Sequence, residues 1–261
     1  MKVADCHRSV FYKLCRHAFD ALGMKPNVVE LGVFKGDNAH EIISSLDPFR
    51  AHLLDTWSAE DFIKAYSPFS PLPKWLSPVE SQFDYYQGDA LSKDHWDRIY
   101  SQVIARFGED QRVSVYRASP EDLYKHAVAE ASLRKFDYVY IDASHQFEYV
   151  FRDLMLYSEL VSFDGIIQMN DCCHSDLGIK QNLGVLEAVV KFVKLSNWSP
   201  VVLNTLDFSD LVLARKGSKI LNIMNSVLFS SNLKYVEVPS QLLGSAKILR
   251  NRSGKNILCF D

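Results

Sequence analysis

The chain has 261 residues, of which 48% are hydrophobic and 23% are charged, values typical of a globular protein that buries a substantial core. With 29 Lys and Arg against 32 Asp and Glu, the formal net charge is −3, which excludes a strongly basic surface for nucleic acid or an anionic membrane. The sequence contains no run of about 18 apolar residues and its charged N-terminus lacks a secretory apolar region, so we predict no membrane span. The five cysteines are odd in number and share no metal-ligand spacing, which favours a reducing cytoplasm.

Alternating strands and helices dominate the predicted elements. Apolar residues at helical spacing predict a helix over 5–23, within an N-terminal helical cover at 1–26. Seven strands follow, at 27–31, 51–57, 113–116, 136–141, 165–169, 200–204 and 211–214, with intervening helices that include 37–46, 148–162 and 185–195. This order predicts a single α/β domain with a doubly wound, mostly parallel sheet and an antiparallel terminal hairpin.

Two segments do not fit this alternation of strands and helices. Residues 58–88 begin an unusually long connection after the second strand and carry Pro68, Pro71, Pro73 and Pro78. We expect either a decorating surface loop or a lid over a ligand site, because this segment starts at the carboxyl end of a strand. Residues 217–261 form a C-terminal extension, either an interface element or further strands.

A glycine-containing turn follows the first predicted strand. The sequence Glu30-Leu31-Gly32-Val33-Phe34-Lys35-Gly36 places Gly32 where the backbone turns towards a ligand and a helix N-terminus faces that ligand. A dinucleotide-binding turn would carry a second glycine where this chain has the bulky Phe34, which argues against NAD.

This turn resembles motif I of class I S-adenosylmethionine-dependent methyltransferases. The resemblance implies that Glu30 interacts with the methionyl part of the cofactor and that Gly32 and Gly36 admit it. Asp55 ends the next strand, where a carboxylate can accept both ribose hydroxyls, although a loop-capping acid would occupy the same position. Ser119 follows the third strand, where the family contacts adenine, and would equally serve as a helix N-cap.

Three oxygen donors follow the fourth and fifth predicted strands. Asp142 ends one strand and Asn170-Asp171 ends the next, so we expect them at the same edge of the sheet. Two carboxylates and an amide oxygen suit Mg²⁺ or another hard divalent cation. The alternative is that Asp142 and Asp171 cap loops in a metal-free site.

The surrounding sequence is similar to methyltransferase family 24 over about residues 25–215. The resemblance implies a Rossmann-like fold and O-methylation of small molecules, often with a divalent metal, and Asp142 is then also expected to contact the cofactor. This chain has Asn170-Asp171 where the family often has two acids, which lowers the negative charge of the site.

His145 lies three residues after Asp142, at a position that matches the catalytic lysine of catechol-type O-methyltransferases. An imidazole with an ordinary pKa near 6.5 can accept a proton from a hydroxyl at neutral pH, so we predict His145 as the catalytic base. A helix-capping role for His145 and a competing base at His174 remain open.

These features predict S-adenosylmethionine-dependent, metal-assisted O-methylation of a small hydroxylated acceptor, such as a sugar or a natural product. A metal-independent N- or O-methyltransferase is the main alternative. An NAD-dependent oxidoreductase or a non-catalytic relative of the fold is less favoured. We expect a small-molecule acceptor as partner, no nucleic acid, no membrane, and possible homo-oligomers through the C-terminal extension.

Overall fold

The computed structural model describes residues 1–66, 71, 73–129, 135–206, 209–250, 253–254 and 256–260. Pro68, one of the four prolines of the predicted insertion, lies outside the described residues.

Eleven strands and ten α-helices make up the described part of the chain. The strands are β1 (Lys2–Ala4), β2 (Asn27–Leu31), β3 (Arg50–Asp55), β4 (Val113–Arg117), β5 (Phe136–Ile141), β6 (Val161–Met169), β7 (Trp198–Asn204), β8 (Leu211–Arg215), β9 (Tyr235–Glu237), β10 (Ala246–Arg250) and β11 (Asn256–Phe260). The helices are α1 (Arg8–Ala21), α2 (Asp37–Leu46), α3 (Ala59–Tyr66), α4 (Phe83–Tyr86), α5 (Lys93–Phe107), α6 (Pro120–Ala129), α7 (Phe147–Leu160), α8 (Asp176–Lys180), α9 (Val185–Leu195) and α10 (Lys219–Ser230). Two 3₁₀ turns, Val79–Gln82 and Ser240–Ser245, complete the elements.

Nine of these strands form one mixed sheet in the order β4-β3-β2-β5-β6-β8-β7-β1-β9. The five strands from β4 to β6 are parallel, whereas β8 runs antiparallel to both β6 and β7. The chain moves outward from β2 to β4 and then returns to the other side of β2 as β5. The order of the strands therefore reverses between β2 and β5, which is where open α/β sheets bind ligands.

The predicted α/β class with a mostly parallel sheet is confirmed, but the sheet has nine strands in place of the predicted seven. The two additional strands, β1 and β9, have three residues each and pair with one another next to β7. Strands of three residues are too short to show an alternating pattern in the sequence. They are held by pairing with distant parts of the chain. Strand β1 also precedes the first helix, so the N-terminal segment is not purely helical.

Helices cover both faces of the sheet. Along β5, Tyr138 and Tyr140 belong to the apolar cluster beneath α1 and α10, whereas Val139 and Ile141 belong to the cluster beneath α7 and α9. Buried residues on both faces are typical of parallel strands between helical layers. Each aliphatic or aromatic side chain buried in this way stabilises the fold by about 1.5–3 kcal/mol.

The long connection after β3 crosses the carboxyl end of the sheet. Its backbone meets the segment after β6, where the Ser77 amide donates to the Lys180 carbonyl at 2.8 Å. The Gln181 side chain also donates to Gln82 Oε1 at 3.1 Å. The C-terminal hairpin of β10 and β11 attaches nearby, since the backbone of His174 bonds residues 246 and 248. None of the helices in the described part of the chain is both long and apolar enough to cross a membrane.

Candidate active site

The main cavity lies over the carboxyl ends of β2, β3, β5 and β6 and has a volume of about 530 Å³. Backbone hydrogen bonds bring these ends level with one another: Gly32 donates to Leu54, Asp142 to Leu31 and Asn170 to Ile141. The cavity is large enough for a nucleoside-sized ligand together with a small acceptor.

Gly32 forms part of the cavity wall and allows two strand ends to approach closely. Its φ is +89°, and a Cβ atom built on it would lie 2.1 Å from the carbonyl oxygen of Asp142. The conformation and the space therefore both require glycine at this position. Phe34, two residues later, also has a positive φ of 49° and donates its amide to Asp55 Oδ2 at 2.8 Å.

Two residues assigned to the cofactor by the motif do not line the cavity. Glu30 is fully buried on the α1 side of β2, where Asn38 Nδ2 donates to its Oε1 at 2.8 Å. Its Oε2 has no hydrogen-bond partner among the described residues. Burial raises the pKa of Glu30 to about 8, against the lowering effect of Asn38. Gly36 caps α2 with φ +79° and packs on Phe107, whose ring would clash with a Cβ at 2.5 Å.

Asp55 lines the cavity and also holds the surrounding loop. Its Oδ2 accepts the amide of Phe34, and its Oδ1 accepts the amide of Trp57 at 3.0 Å. Burial raises the pKa of Asp55, while these backbone donors lower it. The backbone amides of Val33 and Thr56 also face this carboxylate, so Asp55 organises the loop around the cavity at the end of β3.

Ser119 acts as a helix cap and does not reach the cavity. Its hydroxyl donates to Asp122 Oδ2 at 2.7 Å and accepts the Asp122 amide at 3.2 Å. The cavity wall beside this loop is formed instead by Pro120 and by Arg152 and Asp153 of α7. Neither α7 residue was singled out in the sequence, because neither belongs to a recognisable motif.

Asp142, His145 and Asp171 form a cluster at the centre of the cavity. His145 Nε2 lies 3.2 Å from Asp142 Oδ1 and 3.3 Å from Asp171 Oδ2. Burial opposes the charge on His145, but the two carboxylates raise its pKa to about 9. Burial raises the pKa of Asp171 to about 6. Asp171 also has a left-handed backbone with φ +56°, a strained conformation for an aspartate.

Two further side chains complete this cluster. Asn170 is buried, lines the cavity and donates weakly to the Tyr140 hydroxyl at 3.4 Å. Arg8 of α1 donates to the same hydroxyl at 3.0 Å and lies 4.0 Å from Asp142 Oδ2. Sequence reasoning missed Arg8, which reaches the site only because α1 crosses the sheet edge. His174 does not line this cavity and instead faces Glu187, at 3.7 Å.

The residues predicted to bind magnesium are arranged around an imidazole in place of an ion. His145 occupies the space between Asp142 and Asp171, with its Nε2 3.2 and 3.3 Å from their carboxylate oxygens. Over the described residues, no group of three or more His, Cys, Asp or Glu is arranged to hold a metal. In this arrangement the donor set does not fit a hard divalent cation.

The opposite end of the cavity is formed by the connection after β3. An aromatic cluster packs there, with the Phe34 ring stacked on Tyr85 at 6.3 Å and edge-on to Tyr86 at 5.3 Å. Between these rings and α8, the polar side chains of Ser81, Gln82 and Asp84 line the wall. This end therefore combines aromatic surface with hydrogen-bonding groups.

A comparison with known protein families identifies the family of this chain. A family described as a methyltransferase domain matches residues 29–172, more than half of the chain. The chain belongs to this family and is an S-adenosylmethionine-dependent methyltransferase of class I.

Solved structures have the same fold at low sequence identity. An O-methyltransferase from Bacillus cereus in complex with SAH has 15% identity and a TM-score of 0.51, over 82% of this chain and 83% of its own. TomG, an O-methyltransferase from Streptomyces achromogenes involved in tomaymycin synthesis and solved with SAM, has 13% identity and a TM-score of 0.50, over 80% of both chains. No curated protein sequence matches the chain.

Proposed function

We propose that the protein transfers a methyl group from S-adenosylmethionine to a hydroxyl of a small acceptor, such as a sugar or a natural product, without a metal ion. One observation carries this proposal: a single cavity holds both Asp55, suited to a ribose, and the Asp142–His145–Asp171 cluster, suited to proton transfer. The O-methyltransferase function of the structural neighbours from Bacillus cereus and Streptomyces achromogenes agrees with it.

The cofactor would lie across the ends of β2, β3 and β5. Asp55 would accept the ribose hydroxyls, and the close backbone approach at Gly32 would leave room for the methionyl part beside Asp142. Glu30, which the motif assigns to the methionyl part, does not line the cavity, and its buried Oε2 has no hydrogen-bond partner among the described residues. The methyl group of S-adenosylmethionine is carried on a positive sulfur and is already activated, so the protein must align the acceptor oxygen with it.

The acceptor hydroxyl must lose its proton as its oxygen gains the methyl group. We assign this proton to the Asp142–His145–Asp171 cluster, in which His145 Nε2 lies 3.2 Å and 3.3 Å from the two carboxylates, so that the three groups would titrate together. His145 lies between the two carboxylates, and its positive charge lowers the pKa of Asp171 against the effect of burial. With a pKa of about 9, His145 alone is protonated at neutral pH and is not the neutral base first predicted, so we propose the cluster as a whole as the proton acceptor.

The metal-assisted route stays a prediction that the arrangement of donors does not support. An ion bound by Asp142, Asn170 and Asp171 would require His145 to leave the space between the carboxylates. A cytoplasmic location rests on the cysteine count, and homo-oligomers on the C-terminal extension. We also retain one domain with an N-terminal cover at 1–26, a lid at 58–88 and a C-terminal extension at 217–261.

Calorimetry with S-adenosylhomocysteine tests the cofactor site. Wild type is expected to bind it. In Asp55→Asn an NH2 donor replaces one acceptor oxygen, so we expect this variant to bind at least about tenfold more weakly. A thermal melt of each protein controls for folding, since Asp55 also holds the loop. Absence of binding by folded wild-type protein would contradict the proposal; binding justifies a screen of hydroxylated acceptors by mass spectrometry.

A further inference from the structure

Asp153 is a buried acid in the cavity wall that the proposed chemistry does not use. It lies in the second turn of α7, is 1% exposed and lines the same cavity as Asp55. Carboxylates are rarely buried to this extent unless they are paired or bind a ligand. Burial raises the pKa of Asp153 to about 6, against the effect of Arg152, so the carboxylate still carries charge at neutral pH.

Arg152 satisfies only one oxygen of this carboxylate. Its Nε and Nη2 both donate to Asp153 Oδ1, at 3.0 and 2.8 Å. The guanidinium is itself held over the Tyr149 ring and lies 3.9 Å from Glu121, which fixes the pair. Among the described residues no donor reaches Asp153 Oδ2, so this oxygen remains free to accept a hydrogen bond from a ligand.

The position of Asp153 relative to Asp55 indicates which part of a ligand it meets. The loop after β4 lies beside Asp55, because the Ala118 amide donates to the Asp55 carbonyl at 3.1 Å. The same loop packs on α7, where the Tyr157 hydroxyl donates to the Pro120 carbonyl at 3.0 Å. A nucleoside with its ribose at Asp55 would therefore direct its base along this loop, past Pro120, to Asp153.

We infer that Asp153 recognises the adenine of the cofactor by accepting a hydrogen bond from its exocyclic N6 amino group at Oδ2. This inference rests on the proposed binding of S-adenosylmethionine with its ribose at Asp55. The sequence pattern suggested Ser119 for the adenine contact, but that hydroxyl is used in capping α6. A carboxylate that faces the base favours an amino group and disfavours a carbonyl at the same position, because two acceptors then face each other.

Two nucleosyl homocysteines that differ at C6 and N1 of the base provide the test. S-adenosylhomocysteine carries an N6 amino group and an unprotonated N1, whereas S-inosylhomocysteine carries a carbonyl oxygen at C6 and a hydrogen on N1. Wild type is expected to bind the adenosyl compound about 10- to 100-fold more tightly by calorimetry. In Asp153→Asn the ratio is expected to fall to within about threefold, because the amide can rotate and donate to the carbonyl. Ser119→Ala, the matched control, is expected to keep the wild-type ratio.

The outcomes separate this inference from the proposed function. If folded wild type binds neither compound, the proposed function fails and the inference with it. If wild type binds both equally, or if Asp153→Asn keeps the wild-type ratio, the inference is overturned while cofactor binding stands. Should Asp153→Asn fail to fold, Asp153→Glu keeps the charge beside Arg152 and displaces the oxygens by one methylene. An unchanged ratio in that variant overturns the inference, and a reduced ratio supports it.

Discussion

The imidazole of His145 lies 3.3 Å from the carboxylate of Asp171, although the two residues come from loops that follow different strands. Asp171 keeps this position with a left-handed backbone, which costs of order 1 kcal/mol and persists only where the surroundings enforce it. The pairing links the two loops across the cavity and fills the space that an ion would need.

Replacing His145 should damage catalysis more than cofactor binding. His145→Gln keeps a hydrogen-bond donor for the carboxylates but removes proton transfer, so we expect the methyl-transfer rate to fall about 10²- to 10⁴-fold. Binding of S-adenosylhomocysteine by calorimetry should stay close to the wild-type value. His174→Ala is the matched control, since His174 lies outside the cavity, and is expected to retain the wild-type rate. Equal losses in both variants would argue against the cluster.

Chelation should leave the reaction unaffected. Because His145 occupies the space between the carboxylates of Asp142 and Asp171, we expect the same methyl-transfer rate in EDTA and in added Mg²⁺. The measurement is a rate assay with the acceptor found by screening, on protein dialysed against chelator. A rate that rises with Mg²⁺ in wild type but not in Asp142→Asn would restore the metal-assisted route.

Substitution of Gly32 should lower the free energy of unfolding far more than substitution of another glycine that also has a positive φ but has open space around its Cβ position. In Gly32→Ala, the new Cβ meets the Asp142 carbonyl at 2.1 Å, so we expect a loss of at least about 3 kcal/mol in the free energy of unfolding. Gly23 also has a positive φ, of 67°, but no atom lies within 4 Å of its Cβ position. Gly23→Ala should therefore cost only about 1 kcal/mol. Denaturant unfolding of both variants measures the difference, and similar losses would refute the steric explanation.

The buried carboxyl of Glu30 should make the protein less stable as the pH rises. Its pKa is about 8 in the folded chain against an ordinary value of 4.5, so between these values the unfolded state releases a proton that the folded state retains. This contribution is absent below pH 4.5, and it destabilises the folded state increasingly up to about pH 8. Glu30→Gln removes it, and we expect the stability of the variant relative to wild type to rise by about 3 kcal/mol from pH 5 to pH 8. Denaturant unfolding at several pH values measures this, and a difference independent of pH would show that Glu30 is ionised in the fold.

Sequence reasoning correctly located the cavity-lining residues that stand at strand ends. Asp55, Asp142 and Asn170 follow buried runs, so parallel pairing alone predicts that they meet at one edge of the sheet. Glu30 does not line the cavity, because side chains alternate along a strand and this alternation turns Glu30 towards α1.

The remaining differences depend on tertiary packing. Arg8 and Asp153 lie on helices, and only the crossing of α1 and α7 over the sheet edge directs them into the site. The position of His145 between two carboxylates could not be predicted from the sequence either, since its spacing from Asp142 does not reveal that Asp171 approaches from the other side.

The contacts between Ser77 and Lys180 and between Gln82 and Gln181 close a bridge above the cavity. We predict that a spent cofactor and a methylated product leave past this bridge, so that its hydrogen bonds must break first. Departure of products would then limit turnover, as in enzymes that wait for a covering segment to open. The turnover number should accordingly fall as solvent viscosity is raised, while a single turnover of bound substrates should not.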